Sequence, residues 1–294
     1  MTDVERTTTV DLWHRRADAY ETLIRKYHIF TDMAMELIKL VDTPQTKDER
    51  DIRVMDLAAG TGLVSKLLVE QRHLSPLSLY LIEPAERMCQ IARQTLPGLQ
   101  HIYQIAAEDC LSVADLPRHE FDFILCNASM HLMSEDLIFP IAGQLLKPDR
   151  GSFLYTLWYH AFDETQHADR YDEFEALIND ALTECNYPKY FPADKSSTTT
   201  SVVRSRQYLE ETARQHGLRL ESCSTRCHQL PMEFDLDFLL MTPGWFDEHL
   251  TNYAWTQTES VQMMKEKVLA KVRQAMEGKC METPIVTVVV SRAN

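Results

Sequence analysis

An α/β fold with a seven-stranded, mostly parallel sheet and helices on both faces is predicted by three features of the chain. Short apolar runs alternate with amphipathic segments five times between residues 52 and 158, the rhythm of parallel strands joined by crossover helices. The run at 121–127 is apolar almost throughout, as strands covered on both faces are. The first run carries Asp56 near its end and leads into a glycine turn, Gly60-x-Gly62, that opens a helix.

Taken in order, residues 11–41 place Leu12, Ala19, Leu23, Tyr27, Met33, Leu37 and Leu40 at helical spacing without a proline. One or two helices therefore precede the sheet as an N-terminal cap, residues 1–50, closed by a charged loop at 43–51. A strand follows at 52–57. After the turn, Leu63, Val64, Leu67 and Leu68 give one apolar face of a helix. The run 77–82 is a second strand, ending at Glu83. Pro84 suits the first position of the next helix, whose inner stripe is Met88, Ile91 and Ala92. Strands at 101–105 and 121–127 come next. Ser134 has the polar character of a helix start, and Pro140 kinks that helix or restarts it. The segment 145–151 turns the chain into a fifth strand, 152–158.

Beyond Trp158 the rhythm changes. Residues 167–185 are amphipathic, 187–200 form an irregular loop, and 205–216 are a helix stopped by Gly217. A sixth strand at 218–227 and a last one at 284–290 complete the sheet. Between them, helical insertions are expected at 234–250, broken at Pro243-Gly244, and at 258–277, where Val261, Met264, Val268 and Val272 mark a core-facing stripe.

Composition narrows the function. Lys and Arg number 30 against 44 Asp and Glu, a formal net charge of -14, which disfavours a nucleic-acid partner because phosphate backbones call for clustered cations. Residues 1–10 are polar and no apolar run reaches membrane-spanning length, so no membrane partner and a cytoplasmic location are expected. Seven scattered cysteines, an odd number, are expected to be reduced thiols. Cys223, Cys227 and His228 are the only hint of metal. On a strand they lie too far apart along its length, so no metal site is expected.

The glycine turn admits two ligands on spacing alone. Gly60-x-Gly62-x-x-Ser65 matches part of the dinucleotide fingerprint, with Glu83 at the distance of a ribose-holding acid. Asp56 shifts the balance. Its carboxylate either orients the turn or takes a ligand's ammonium, and it would repel a pyrophosphate. A nucleoside bearing an amino-acid group fits better.

Several motifs in order carry a resemblance over residues 11–160. Asp56-Leu-Ala-Ala-Gly-Thr-Gly62 and Leu81-Ile-Glu-Pro-Ala-Glu-Arg-Met88 are followed by Ala107-Glu-Asp109, by Phe121-Asp-Phe-Ile-Leu-Cys-Asn127 through His131, and by Leu145-Leu-Lys-Pro-Asp-Arg-Gly151. With Trp13-His-Arg-Arg-Ala-Asp-Ala-Tyr20 ahead of them, they resemble the class I S-adenosylmethionine-dependent methyltransferases of the small-molecule type. The resemblance implies a Rossmann-like sheet and S-adenosyl-L-methionine as cofactor. It implies that Gly60, Thr61 and Gly62, with Asp56 and Ala58, meet the methionine part, and that Glu83 bonds both ribose hydroxyls beside Pro84 and Met88. Glu108 or Asp109, next to Ala107, would meet the adenine amino group, the peptide groups of Asn127 and Ala128 would line the sulfonium side, and Tyr20 would lie over the cofactor. Two positions depart from the family pattern: Ala58 stands where a glycine is frequent, and Ala106 where an acid is common. Residues 51–160 are then the cofactor-binding half and 161–294 the substrate-side half of one integrated domain.

The acceptor side is expected at the same sheet edge. His131 and His160 follow the fourth and fifth strands there and are the candidate bases. Trp158, Tyr159, Tyr190 and Trp245 are candidates for an apolar or aromatic acceptor pocket. Asn127 is followed by Ala128-Ser129-Met130 rather than the Pro-Pro-aromatic sequence of base-amino methylating enzymes, so a small-molecule methyl acceptor is expected. The alternatives are a non-catalytic cofactor-binding partner or sensor, and a nicotinamide-dependent oxidoreductase.

Overall fold

The computed structural model describes residues 3–42, 52–158, 162, 169–190, 204–242, 244–254 and 260–293. The chain divides into two compact units, Met1–Thr165 with Val202–Cys227 and Pro284–Asn294, and Gln166–Ser201 with His228–Thr283. The charged loop expected at 43–51 lies outside the described residues, as do Pro243 and residues 191–200 of the second expected loop.

The sheet contains β1 (Val54–Leu57), β2 (Leu79–Ile82), β3 (His101–Tyr103), β4 (Phe123–Cys126), β5 (Ser152–Trp158), β6 (Leu218–Pro231) and β7 (Cys280–Arg292), in the order β3-β2-β1-β4-β5-β7-β6. The first five run parallel; β7 is antiparallel to β5, with Leu154 opposite Val289 and Thr156 opposite Thr287. The seven-stranded, mostly parallel sheet is the predicted one. Strand order reverses at β1, which has β2 on one side and β4 on the other. A crevice opens at the carboxyl ends of strands at such a switch point.

Both faces of the sheet are covered, which is why its strands read as unbroken apolar runs. Val54, Leu79, Leu81, Leu125 and Leu154 point to one face and pack with Leu37 and Ile38, Val64 and Leu68, and Ala92 and Leu96. These come from α2 (Ile29–Ile38), α3 (Leu63–Arg72) and the helix after β2 with its C-cap. Met55, Leu57, Ile124, Phe153 and Tyr155 point to the other face, against Ile138 and Phe139 of α5 (Glu135–Leu145) and Leu209 and Ala213 of α7 (Arg206–Gln215). The N-terminal apolar pattern resolves into two helices, α1 (Asp3–Lys26) and α2.

Several elements differ from the sequence expectation. The helix after β2, α4, runs Glu86–Thr95 with Ala85 as its cap, so Pro84 lies ahead of it instead of at its first position. The Glu83 carboxylate accepts the Ala85 N–H and fixes an extended entry into the helix. α5 continues through Pro140 as one helix. β6 and β7 are longer than their apolar cores, because polar residues tolerate strand geometry where one face is exposed.

In the second unit, α6 (Asp169–Glu184), α8 (Glu233–Leu240), α9 (Asp247–Ala254) and α10 (Val261–Met276) enclose their own core. Phe174, Ile178 and Leu182 of α6 meet Met264, Val268 and Val272 of α10 in it. Among the described residues no helix is long and apolar enough to cross a membrane.

Candidate functional site

The turn between β1 and α3 is the centre of the site. Ala58, Gly60 and Gly62 all adopt left-handed backbone, with φ of 55°, 55° and 82°. Gly62 is the N-cap of α3, and a Cβ placed on it would lie 3.2 Å from the Ala92 Cβ and 3.4 Å from the Leu96 Cδ1. Glycine here therefore answers two demands at once, the positive φ and the close approach of α3 to α4. Gly62→Ala is expected to lower the free energy of unfolding by about 1–3 kcal/mol, from backbone strain and overpacking together. Urea unfolding measures it, and an unchanged midpoint would show that the turn relaxes freely.

Two buried acids brace this turn from below. Asp56, 2% exposed, accepts both the N–H (3.1 Å) and the hydroxyl (2.7 Å) of Ser65 on its Oδ2, tying the end of β1 to the first turn of α3. Of the two roles open to it, this geometry supplies the orienting one. Burial pushes its pKa up to about 7; the Ser65 bonds pull it down and the Glu83 charge raises it further. Between about pH 4 and pH 7 the folded chain thus holds a proton that the unfolded chain releases. Stability falls as pH rises through that window and levels off above it, by at most about 4 kcal/mol. Asp56→Asn keeps an oxygen for Ser65 and is expected to remove this component. Unfolding free energies of both proteins from pH 4 to pH 8 test it, since parallel profiles would contradict the assignment.

Glu83, at the end of β2 and 6% exposed, accepts the Gly60 N–H on Oε2 (2.9 Å) and the Ala85 N–H on Oε1 (2.8 Å). Burial raises its pKa, and these two N–H donors act against the rise. Each carboxylate oxygen has a second acceptor position beyond the N–H it holds. The group is therefore fixed in place while still able to accept from two neighbouring hydroxyls.

The N-terminal cap closes over the turn. The Tyr20 Cε1 is the nearest atom, at 3.9 Å, to where a Gly60 Cβ would stand. Its ring meets Trp13 edge-on at 5.6 Å and Phe30 at 5.3 Å, and Phe30 in turn meets Trp158 at 5.6 Å. Burial, and the negative charge of Glu83, hold the Tyr20 phenol protonated, so it is available as a donor. Met88, Ala85 and Ile91 form the floor on which α1 rests through Ala17. A two-point ion pair of Arg87 with Asp18, at 2.5 and 3.0 Å, and a bond from the Arg87 N–H to His14 Nδ1 fasten the rim.

At the end of β4, Asn127 donates from its amide to the Phe30 carbonyl (3.1 Å) and accepts from the Thr156 hydroxyl (2.9 Å), which accepts the Ala128 N–H (2.8 Å). Ala128 has φ of 54°. These bonds lock the end of β4 to β5 and to α2. His131 follows on a 3-10 turn, Met130–Leu132, half-buried. The 3-10 segment Ala107–Ser112 places Ala107 in the core, Glu108 at an intermediate position and Asp109 at the surface.

Among the candidate acceptor-side residues, Trp158 closes the aromatic row above. Tyr190 and Trp245 belong to the second unit, where their rings meet at 5.9 Å and both pack on Phe246. Tyr159 and His160 lie outside the described residues. Sequence reasoning missed Ser65 as the partner of Asp56, as well as Phe30 and Thr156. Ser65 was visible as the third place of the glycine fingerprint, and Thr156 as a lone hydroxyl in an apolar strand; Phe30 carried no signal beyond helical spacing.

Residues 54–149 match a family described as a methyltransferase domain. No curated protein matches the chain. Among solved structures, the chain resembles the YcgJ protein of Bacillus subtilis, with 13% identity and a TM-score of 0.48 over 90% of this chain and 99% of that one. It also resembles phosphoethanolamine N-methyltransferase 2 of Haemonchus contortus, with 12% identity and a TM-score of 0.47 over 90% and 53% of the two chains. A geranyl diphosphate C-methyltransferase of Streptomyces coelicolor A3(2) gives 9%, 0.46, 90% and 79%. Likeness at this level says nothing about the acceptor.

Proposed function

We propose, from the match of residues 54–149 to a methyltransferase domain, that this protein is a class I S-adenosylmethionine-dependent methyltransferase that methylates a small apolar or aromatic molecule at O, N or C. The observation that carries the cofactor side is Glu83. A buried carboxylate clamped by the Gly60 and Ala85 N–H groups, directly under a glycine turn, suits a vicinal diol next to an amino-acid tail. S-adenosyl-L-methionine, when bound, supplies a methyl group on a sulfonium, open to in-line displacement.

The chain's own residues then have to orient and to exclude water. Gly60, Thr61 and Gly62 seat the amino-acid end of the donor, Glu83 the ribose, and Ala107 with Glu108 or Asp109 the adenine. Tyr20 covers the turn, and Asn127 and Ala128 present peptide groups toward the transfer point. The row Tyr20, Phe30 and Trp158 offers ring faces and edges to an apolar acceptor and to the donor's positive charge. His131 is the base for an acceptor that must lose a proton.

Calorimetry with S-adenosylhomocysteine against nicotinamide dinucleotide tests the donor: binding of the first and not of the second is expected. Transfer of labelled methyl to fractionated small-molecule extracts tests turnover. Binding without any labelled product would leave a cofactor-binding protein that is not an enzyme.

A further inference from the structure

Among the described residues, one ion pair has both partners withdrawn from solvent: Arg204 is 1% exposed and Glu135 0%. The Arg204 Nε donates to Glu135 Oε1 at 2.5 Å. Its Nη2 donates to the Met130 carbonyl at 3.1 Å and to the Met133 carbonyl at 2.8 Å. Those carbonyls flank the 3-10 turn that carries His131, and Glu135 is the first residue of α5 immediately beyond it. The backbone of Arg204 is itself fixed by a parallel bridge to Phe162, just past β5. One residue thus joins these segments: its backbone ties the chain ahead of α7 to Phe162, and its guanidinium holds the start of α5 and both ends of the His131 turn.

Stability alone does not account for this group. A buried arginine–carboxylate pair commonly does no better than apolar residues of the same volume. The hydroxyl of Tyr155, close enough for Glu135 and Arg204 to act on its ionisation, has no hydrogen-bond partner among the described residues, so the cluster is not optimised for cohesion. What the planar fork does achieve is geometry: it reaches a carboxylate and two carbonyls at once, which a lysine ammonium on its flexible stem cannot reproduce.

We propose that Arg204 is a positioning residue for the acceptor side of the site, setting the placement of His131 through the carbonyls of Met130 and Met133. The inference rests on the assignment of His131 to that side in the proposed function. Within the turn the Leu132 N–H bonds the Ser129 carbonyl (2.9 Å) and the Met133 N–H bonds the Met130 carbonyl (3.1 Å), and the guanidinium adds its own bonds to the Met130 and Met133 carbonyls.

The test is imidazole NMR of histidine-labelled protein, with the His131 signal identified by its loss in His131→Gln, recorded with and without S-adenosylhomocysteine. In the double variant Arg204→Met, Glu135→Leu, the His131 signal is expected to shift and broaden while S-adenosylhomocysteine binds within about twofold of wild type. A Ser65→Ala variant, which weakens the fold elsewhere, is expected to leave that signal in place, so lost stability alone does not mimic the effect. If the double variant does not fold, Arg204→Lys is read the same way, with the same shift expected. An unchanged His131 signal in either folded variant overturns the positioning role. Failure of the wild-type protein to bind S-adenosylhomocysteine overturns the proposed function instead, and the ligand-free spectra still decide the role of Arg204.

Discussion

Replacing Glu83 by alanine is expected to weaken S-adenosylhomocysteine binding by about 10- to 150-fold, the equivalent of roughly 1.5–3 kcal/mol for hydrogen bonds to a charged group. The same change is expected to cost about 2–5 kcal/mol of stability, because the Gly60 and Ala85 N–H groups lose their shared acceptor in a buried place. The two effects separate with Glu83→Gln. Its single carbonyl oxygen can keep one of the two N–H groups satisfied, so the glutamine variant is expected to recover part of the stability. It recovers less of the affinity, since its amide nitrogen cannot accept a ribose hydroxyl. Calorimetry on protein shown to be folded by circular dichroism reads the first quantity, and urea unfolding the second. A dissociation constant unchanged in folded Glu83→Ala would remove this residue from the ribose contact.

The part of this site that was legible in the sequence is the part the backbone dictates. Gly60 and Gly62 could be placed because a positive φ and a close helix–helix approach each exclude most side chains. Glu83 could be placed because an acid at the end of an apolar strand needs a partner. The sheet could be counted because strands covered on both faces leave unbroken apolar runs. Less legible was whatever depends on long-range side-chain pairing. Nothing near Asn127 in sequence points to Phe30, yet the Asn127 amide donates to the Phe30 carbonyl. Pro84 shows the limit of local rules: its fixed φ favours a helix start, but the Glu83 carboxylate bonds the Ala85 N–H and holds the chain extended until Glu86. Arg204 was invisible for the same reason as Phe30, since its partners lie about seventy residues away in the chain.

Arg204→Met alone is expected to cost about 3–5 kcal/mol, because it leaves the Glu135 carboxylate buried without its counter-charge. Glu135→Leu alone is expected to cost a similar amount by stranding the guanidinium. The double variant is expected to return to within about 1–2 kcal/mol of wild type, since both desolvation penalties disappear with both charges. The direction of the Glu135 pKa supports that asymmetry. It is raised overall: burial outweighs the attraction of Arg204 even with the guanidinium in direct contact. An interaction that does not overcome the desolvation of its own members adds little to the fold when intact and a great deal to the damage when halved. A full double-mutant cycle by urea unfolding at neutral pH checks this. Single-variant losses that simply add in the double variant would mean that the two side chains act independently. A large coupling with near-wild-type stability in the double variant would mean that the pair contributes placement of the His131 turn and the start of α5 rather than cohesion.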